Sequence, residues 1–259
     1  MVLLQSLNFS SGLGLHVHIR TTRVDHPMQS FSYVSGVAVK LGTDVFEIMD
    51  DGSMLFNGEN MDVVEDSTVA GFPFPVRTTT RGKKKNIHVY DFDLDDIGST
   101  GTGSCTTCTS IQVRANGRTG MLFVDVSGNF EDGVGLLGSG SEETSAKLFG
   151  RDGMTDFTDE WNSFGEEWQV RDTEPKLFLD NRMPQFPTGC RYDASDHTTP
   201  NLRSRSRHRR LTEVNSNEVV TREMAMEACS NASGKKKDFC IGDVMVSGDV
   251  ELAEDPFYN

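Results

Sequence analysis

Two stretches near the amino terminus repeat apolar residues with the two-residue period of a β-strand. In Leu13–Ile19 every second residue is Leu, Val or Ile, with glycine or histidine between them. A longer stretch follows, in which five apolar residues are predicted to share one face: Phe31, Tyr33, Val37, Val39 and Leu41. Because successive side chains of a strand point to opposite faces, each stretch predicts a strand with one buried face.

Shorter segments continue this pattern along the chain and are separated by turn residues. The further predicted strands are Val45–Met49, Met54–Phe56, Ile87–Phe92, Ile111–Arg114 and Thr119–Val126. Asn116-Gly117 lies between the last two and is a strong signal for a β-hairpin. Strands joined by short turns pair antiparallel, so the sequence predicts a mainly β fold built on an antiparallel, β-sandwich-like domain.

The composition changes near residue 180, and this change predicts three parts. Residues 1–180 carry the strand pattern and form the predicted β domain. Residues 181–212 are polar, contain three prolines and include an arginine run, which is typical of a linker. Residues 213–259 carry two cysteines and are predicted to form a small, partly helical module.

The helix of this small module is predicted from one apolar face. Val220, Met224 and Ala228 recur at a spacing of four, and Asn217 precedes them as a candidate N-cap. The pattern predicts a helix that ends near Cys229.

The charge of the chain limits its partners. The formal net charge is −14, and a negative field repels phosphate backbones, so nucleic acid is not expected as a partner. Apolar runs such as Met121–Val124 are far shorter than the roughly 20 residues that cross a bilayer, so no membrane span is expected. Met1–Gln5 becomes polar too early for a secretory signal. The protein is therefore expected either to be intracellular or to lack its true start here.

Five cysteines are an odd number, so one thiol is left free or pairs with a distant partner. The disulfide candidates are Cys105, Cys108, Cys229 and Cys240. Cys105 and Cys108 also have the spacing of a redox pair or of half a zinc site. Because they lead into a predicted strand and not a helix, we favour a structural disulfide or free thiols.

Two polar patterns are candidates for covalent modification. Asn8 and Asn231 each begin an Asn-x-Ser triplet, the acceptor for N-glycosylation in the secretory pathway. Arg207-His208-Arg209-Arg210 fits the basic pattern that secretory convertases cut, which makes Arg210 the cleavage candidate. A basic segment that contacts the acidic remainder of the chain is the equal alternative.

Metal chemistry has two kinds of candidate. His16 and His18 share the polar face of a predicted strand and would bind a metal if a third ligand approached. The two acidic clusters are Asp91, Asp93, Asp95 and Asp96, and Asp152, Asp156 and Asp159. Neither cluster has the spacing of a calcium loop. Solvated strand histidines and acidic, solvated loops are the commoner explanations of these patterns. No catalytic, metal-binding or cofactor-binding residue is selected, and no cofactor is expected.

Several segments, in order, resemble a known family. Gly133–Gly138 reads Gly-Val-Gly-Leu-Leu-Gly, and Phe164–Val170 reads Phe-Gly-Glu-Glu-Trp-Gln-Val. Together they resemble the closing part of a von Willebrand factor type D domain, which ends with a Gly-Leu-Cys-Gly loop and a Phe-Gly-x-x-Trp-x-Val strand. Residues 1–180 are similar to that domain, and the segments around Cys229 and Cys240 are similar to the cysteine-rich module that follows it.

The chain departs from the family pattern at two places. Leu137 stands where the family has a disulfide-bonded cysteine, and the family's opening segment is absent, so the chain looks amino-terminally truncated. The family's calcium ligands follow the loop, where this chain has Ser139–Glu143, so calcium is implied by the resemblance but no ligand is carried over.

The resemblance implies a secreted or surface-displayed glycoprotein that is not an enzyme. The expected function is extracellular adhesion, matrix or multimer assembly, with extracellular proteins or matrix polymers as partners. Two alternatives stay open at this point. One is a metal-dependent hydrolase that uses the strand histidines or the acidic loops, and the other is a secreted regulator released by a protease after Arg210.

Overall fold

The computed structural model describes residues 1–25, 30–61, 67–68, 76–81, 87–94, 109–117, 119–128, 130, 132–138, 147–171, 173–179, 220–254 and 258. Its strands are β1 Val2–Ser6, β2 Leu15–Asp25, β3 Ser30–Leu41, β4 Asp44–Met49, β5 Met54–Phe56, β6 Glu59–Met61, β7 Ser67–Thr68, β8 Val76–Arg81, β9 Ile87–Asp93, β10 Ser110–Asn116 and β11 Met121–Ser127. The described helices are α1 Phe9–Gly12, α2 Trp161–Glu167, α3 Arg222–Ala228 and α4 Gly234–Ser247, with 3-10 turns at Cys229–Asn231 and Val250–Glu254.

The strands pair antiparallel in one curled sheet, which confirms the predicted mainly β, antiparallel fold with helices near the carboxyl end. The order along the sheet is β6-β5-β4-β3-β11-β10-β9-β8-β7, and β2 joins β3 to β1. Strands β4 and β9 are separated by three strands in this order, yet Phe46 and Phe92 meet edge to face with ring centroids 5.6 Å apart. The curled sheet therefore closes over one core in the manner of a sandwich.

Strand β3 is the branch point of the sheet. One of its edges pairs with β2 along its whole length, from Ser30 to Leu41. Its other edge pairs with β4 from Gly36 to Leu41 and with β11 at Val34. A single strand thus joins two parts of the sheet, strands β4 to β6 and strands β7 to β11, which we call its two wings.

A β-bulge interrupts β3 and changes which side chains face the core. Arg20 pairs with Gly36 and Thr21 pairs with Val34, so Ser35 is the extra residue. As a result Val34 and Val37 both pack against the main core, whereas Tyr33 packs on the opposite face. The prediction that Tyr33 shares a face with Val37 is wrong for this reason, and the side chain of Phe31 lies outside the described residues.

Two segments cover the outer face of the sheet near β1 to β4. Leu177 and Phe178 pack against Ala38 and Val45, and the backbone N–H of Leu179 donates to the buried carboxylate of Glu47 at 2.8 Å. Near β1, Phe164 and Trp168 are buried together with Val2. Both segments therefore add hydrophobic contacts outside the main core.

The segment that contains Phe164 is a helix, which corrects the strand implied by the family resemblance. Phe164 and Trp168 are 3% and 1% exposed, and they lie four residues apart, the spacing of one helix face. Trp168 also donates its indole N–H to the carbonyl of Phe149 at 3.3 Å. Helix α2 therefore buries both aromatic rings at once.

The carboxyl-terminal residues 220–254 and 258, called the C-terminal module below, form a helical hairpin closed by a disulfide between Cys229 and Cys240. The helix N-cap is Thr221, whose hydroxyl accepts from the N–H of Met224 at 3.3 Å, and the predicted cap Asn217 lies outside the described residues. The buried face of α3 contains Ala225, while Met224 is 38% exposed. The helix therefore starts later than predicted, and Val220 and Ala228 of the predicted face pack against the buried cluster whereas Met224 does not belong to it.

Gly52 at the turn between β4 and β5 provides a test of the closed core. It has a φ of +76° and its carbonyl accepts the hydroxyl of Tyr90, and a Cβ there would lie 2.5 Å from the His88 ring. We expect Gly52→Ala to lower the free energy of unfolding by about 2–4 kcal/mol, through left-handed strain and overpacking. Chemical denaturation measures this loss.

Gly153→Ala is the matched control for this prediction. Gly153 has a φ of +68° but nothing lies within 4 Å of its would-be Cβ. It should lose only the strain contribution, about 1 kcal/mol. Equal losses for the two variants would contradict the close contact between Gly52 and His88.

Candidate functional site

The outer face of β9, β10 and β11 carries a block of outward-pointing side chains that are nevertheless buried. In the register of the sheet, Asn116 stands opposite Ile87 and Met121, and Arg114 stands opposite Val89 and Phe123. Exposure is 3% for Ile87, 0% for Val89, 2% for Arg114, 2% for Asn116 and 6% for Met121, and Phe123 is half-buried. We call these six residues the docking block.

The C-terminal module packs on the docking block at Met121 and Phe123. Met121 belongs to the same buried cluster as Ala225, Cys229, Cys240 and other buried residues of the module, and Tyr33 and Phe123 pack against that cluster. The ring of Tyr258 meets Phe123 edge to face, with centroids 6.2 Å apart. Hydrophobic burial therefore joins the module to this face of the sheet.

A hydrogen bond holds Tyr258 within the module. Its hydroxyl donates to Oδ2 of Asp243 at 2.6 Å. Burial raises the pKa of the Asp243 carboxyl, and the hydrogen bond from Tyr258 acts in the opposite direction. The hydrogen bond fixes Tyr258 against helix α4, in a position where its ring meets Phe123.

Arg114 lies at the boundary between the docking block and an open polar surface. Its guanidinium is buried and bonds Oδ2 of Asp125 at 2.7 Å, while the Asp125 side chain is 42% exposed. The guanidinium carbon also lies 5.9 Å from the centre of the Phe123 ring. A buried cation needs such partners, because an unpaired charge away from water is costly.

The next rows of the sheet are polar and include three aspartates, Asp91, Asp93 and Asp125. Gln112 stands between Asp91 and Asp125 in the register, and its amide donates to Asp91. Two residues after Asp91 on the same strand, the carboxylate of Asp93 lies 3.6 Å from the guanidinium of Arg77. These rows place Asp91 and Asp93 of the predicted acidic cluster together, and Asp95 and Asp96 lie outside the described residues.

The second acidic cluster forms exposed turns. The hydroxyl and backbone N–H of Thr155 donate to Asp152, and these bonds lower the pKa of its carboxyl to about 2. Thr158 binds Asp156 in the same way, and its hydroxyl bond is the main reason for the lowered pKa of Asp156. The carboxylates of Asp152 and Asp156 therefore hold their own turns, and Asp159 is exposed beside them.

The two predicted histidines lie in different environments. His18 is 5% exposed, and burial, reinforced by neighbouring positive charge that includes Arg151, lowers its pKa to about 3. His16 is half-buried, and burial followed by the charge of Lys40 lowers its pKa. Among the described residues no group of three or more His, Cys, Asp or Glu side chains is placed to hold a metal ion.

The modification candidates fall into two groups. Asn8 and Asn231 are both exposed, and Asn231 lies in the 3-10 turn that begins at Cys229. Cys229 and Cys240 are joined to each other, whereas Cys105, Cys108 and Arg210 lie outside the described residues, as does Cys190.

The loop that resembles the family's disulfide loop is attached to β1 by its backbone. Val134 and Gln5 exchange two hydrogen bonds of 2.8 and 2.9 Å, and the N–H of Leu137 donates to the carbonyl of Leu3 at 3.3 Å. The Leu137 side chain is 52% exposed. Gly135 allows this close approach, because a Cβ there would lie 2.4 Å from the Leu3 carbonyl oxygen. Ser139–Glu143 lie outside the described residues.

The docking block is the feature that the sequence did not indicate. Arg114 and Asn116 are polar residues that alternate with the apolar residues of β10, so the pattern predicts that they face solvent. The available signal was the apolar character of Ile87, Val89, Met121 and Phe123, which occupy the outer positions of the neighbouring strands.

Two comparisons with known proteins gave no relative. No protein-family model matches the chain, and no curated protein matches it. In the part of the chain that is described, no helix has the length and apolar character needed to span a membrane.

The burial of His18 predicts a loss of stability in acid. In the unfolded chain a histidine has a pKa near 6.5, so between about pH 6.5 and 3 the unfolded state binds a proton that the folded state does not. Stability should therefore fall as the pH is lowered through this window, by up to about 1.4 kcal/mol per pH unit. Denaturant titrations at several pH values measure the slope.

His18→Gln should flatten this slope, because glutamine does not titrate. His16→Gln is the control, and it should change the slope less because His16 is only half-buried. A His18→Gln variant with the same pH dependence as the unaltered protein would show that His18 does not contribute.

Proposed function

We propose that the protein is a non-catalytic extracellular module for adhesion, matrix or multimer assembly. The observation that carries this proposal is the disulfide between Cys229 and Cys240, whose residues are 1% and 0% exposed inside the C-terminal module. Structural disulfides of this kind form and persist in oxidising compartments, and they are rare in the cytosol.

Three further features support the proposal. Asn8 and Asn231 are exposed, as N-glycosylation requires. The sheet offers an open polar surface around Asp91, Asp93 and Asp125, which suits a binding role without a catalytic pocket. The resemblance to the von Willebrand factor type D domain, and to the module that follows it, points in the same direction.

The extracellular assignment is tested on protein recovered from its natural source. After thiol blocking, peptide mapping without reductant should find Cys229 and Cys240 in one disulfide-linked pair and a glycan on Asn8 or Asn231. A protein that carries free thiols at both cysteines and no glycan would contradict the assignment.

The structural importance of the disulfide is tested by Cys229→Ser together with Cys240→Ser. Because the bridge closes a loop with a sequence separation of 11, its loss should lower the free energy of unfolding by about 3 kcal/mol. Denaturation of the oxidised protein and of the double variant measures this difference. The same protein in reductant should resemble the double variant, and a variant as stable as the oxidised protein would show that the bridge is not structural.

The assembly role is tested separately on the secreted protein. Saturable binding to a purified matrix polymer, such as collagen, or concentration-dependent oligomers in light scattering are the expected results. A disulfide-bonded, glycosylated monomer that binds none of a panel of matrix polymers would contradict the assembly role and leave the extracellular assignment intact.

A further inference from the structure

We propose that the docking block and the C-terminal module form a stable non-covalent interface, so that a chain cut between Leu179 and Val220 stays assembled as a two-piece complex. This inference goes beyond the proposed function and does not depend on it. It identifies the partner of the docking block as the chain's own disulfide-closed helical hairpin.

The cysteines determine how the two pieces are held. Beyond Arg210 the chain contains only Cys229 and Cys240, and these two are bonded to each other. Neither is left to form a disulfide with Cys105, Cys108 or Cys190. After a cut at Arg210, the carboxyl-terminal piece is therefore connected to the sheet by non-covalent contacts alone.

The sheet side of the interface is apolar where the module covers it. Outward-facing Met121 is 6% exposed within the module's cluster, and Phe123 packs against that cluster, so removing the module would expose apolar surface to water. The buried guanidinium of Arg114 already has Asp125 as its ion-pair partner at 2.7 Å. Among the described residues, the contacts that the face makes with the module's cluster are those of Tyr33, Met121 and Phe123, which are mainly apolar.

The module side has covalent and hydrogen-bonded constraints of its own. The disulfide joins the end of α3 to α4, and the hydrogen bond from Tyr258 to Asp243 ties the chain end to α4. Buried Ala225, Val244 and Leu252 complete its small apolar cluster. Because these constraints lie within the module, they lower the entropy that docking costs compared with a flexible peptide, which favours a long-lived complex.

The chain on the other side of the cut is anchored independently. Leu177 is 4% exposed against Ala38 and Val45, and the N–H of Leu179 binds Glu47. A cut after Leu179 therefore leaves both flanking segments with their own contacts on the sheet. Cleavage after Arg210 is expected to nick the protein without releasing a regulator, in contrast to the release considered from the sequence.

The test uses the full chain with a recognition sequence for a site-specific protease inserted between Arg210 and Leu211. After complete cutting without reductant, both pieces should co-elute in size-exclusion chromatography at the volume of the uncut protein. The same sample should give two separate bands on a denaturing gel run without reductant, because no disulfide joins the pieces.

Two variants test whether the docking block holds the module. Met121→Ala and Tyr258→Ala should each increase the dissociated fraction of the cut protein several-fold, while the uncut variants keep the circular dichroism of the sheet. Phe239→Ala is the matched control, since this module residue is 58% exposed and should leave co-elution unchanged.

Three results would overturn the proposal. The first is separation of the pieces of the unaltered cut protein under native conditions. The second is a single band on the denaturing gel without reductant, which would show a covalent link. The third is unchanged co-elution of both variants, which would place the binding energy outside the docking block.

Discussion

The rest of the structure depends on the place where β3 changes its neighbour. At Gly36 the strand ends its pairing with β4, and at Val34 it pairs with β11, while the bulge at Ser35 lies between them. A bulge bends its strand and increases its twist, which favours the folding of the two wings over one core. Gly36 also leaves room for Phe178, since a Cβ would lie 3.2 Å from its ring.

The same bulge determines where the C-terminal module docks. By shifting the alternation of β3 by one residue, it keeps Val34 in the core and turns Tyr33 to the outer face, where Tyr33 packs against the module's cluster. An unbulged strand would place Tyr33 on the core side with Val37. Closure of the sheet and formation of the docking face therefore have a common structural cause.

The sequence pattern predicted the strands whose two faces differ in polarity, and it failed where that difference disappears. Strand β8 was not predicted, because Thr78 and Thr80 take core-side positions in register with Tyr90 and His88 and no apolar alternation remains. The docking block was not predicted, because the buried Arg114 depends on Asp125 in the neighbouring strand, and the buried Met121 belongs to the cluster of a module that is distant in the chain. Single-strand periodicity contains no information about such distant contacts.

Arg114 explains why the polar and apolar halves of the outer face can lie side by side. Its charge is neutralised by Asp125 on the open side, while its flat guanidinium faces Phe123 on the covered side. An arginine suits this boundary because its weakly hydrated, planar cation tolerates contact with an aromatic ring as well as with a carboxylate. Arg114 can therefore stay buried beside Phe123, while the neighbouring carboxylates of Asp93 and Asp125 are 40% and 42% exposed.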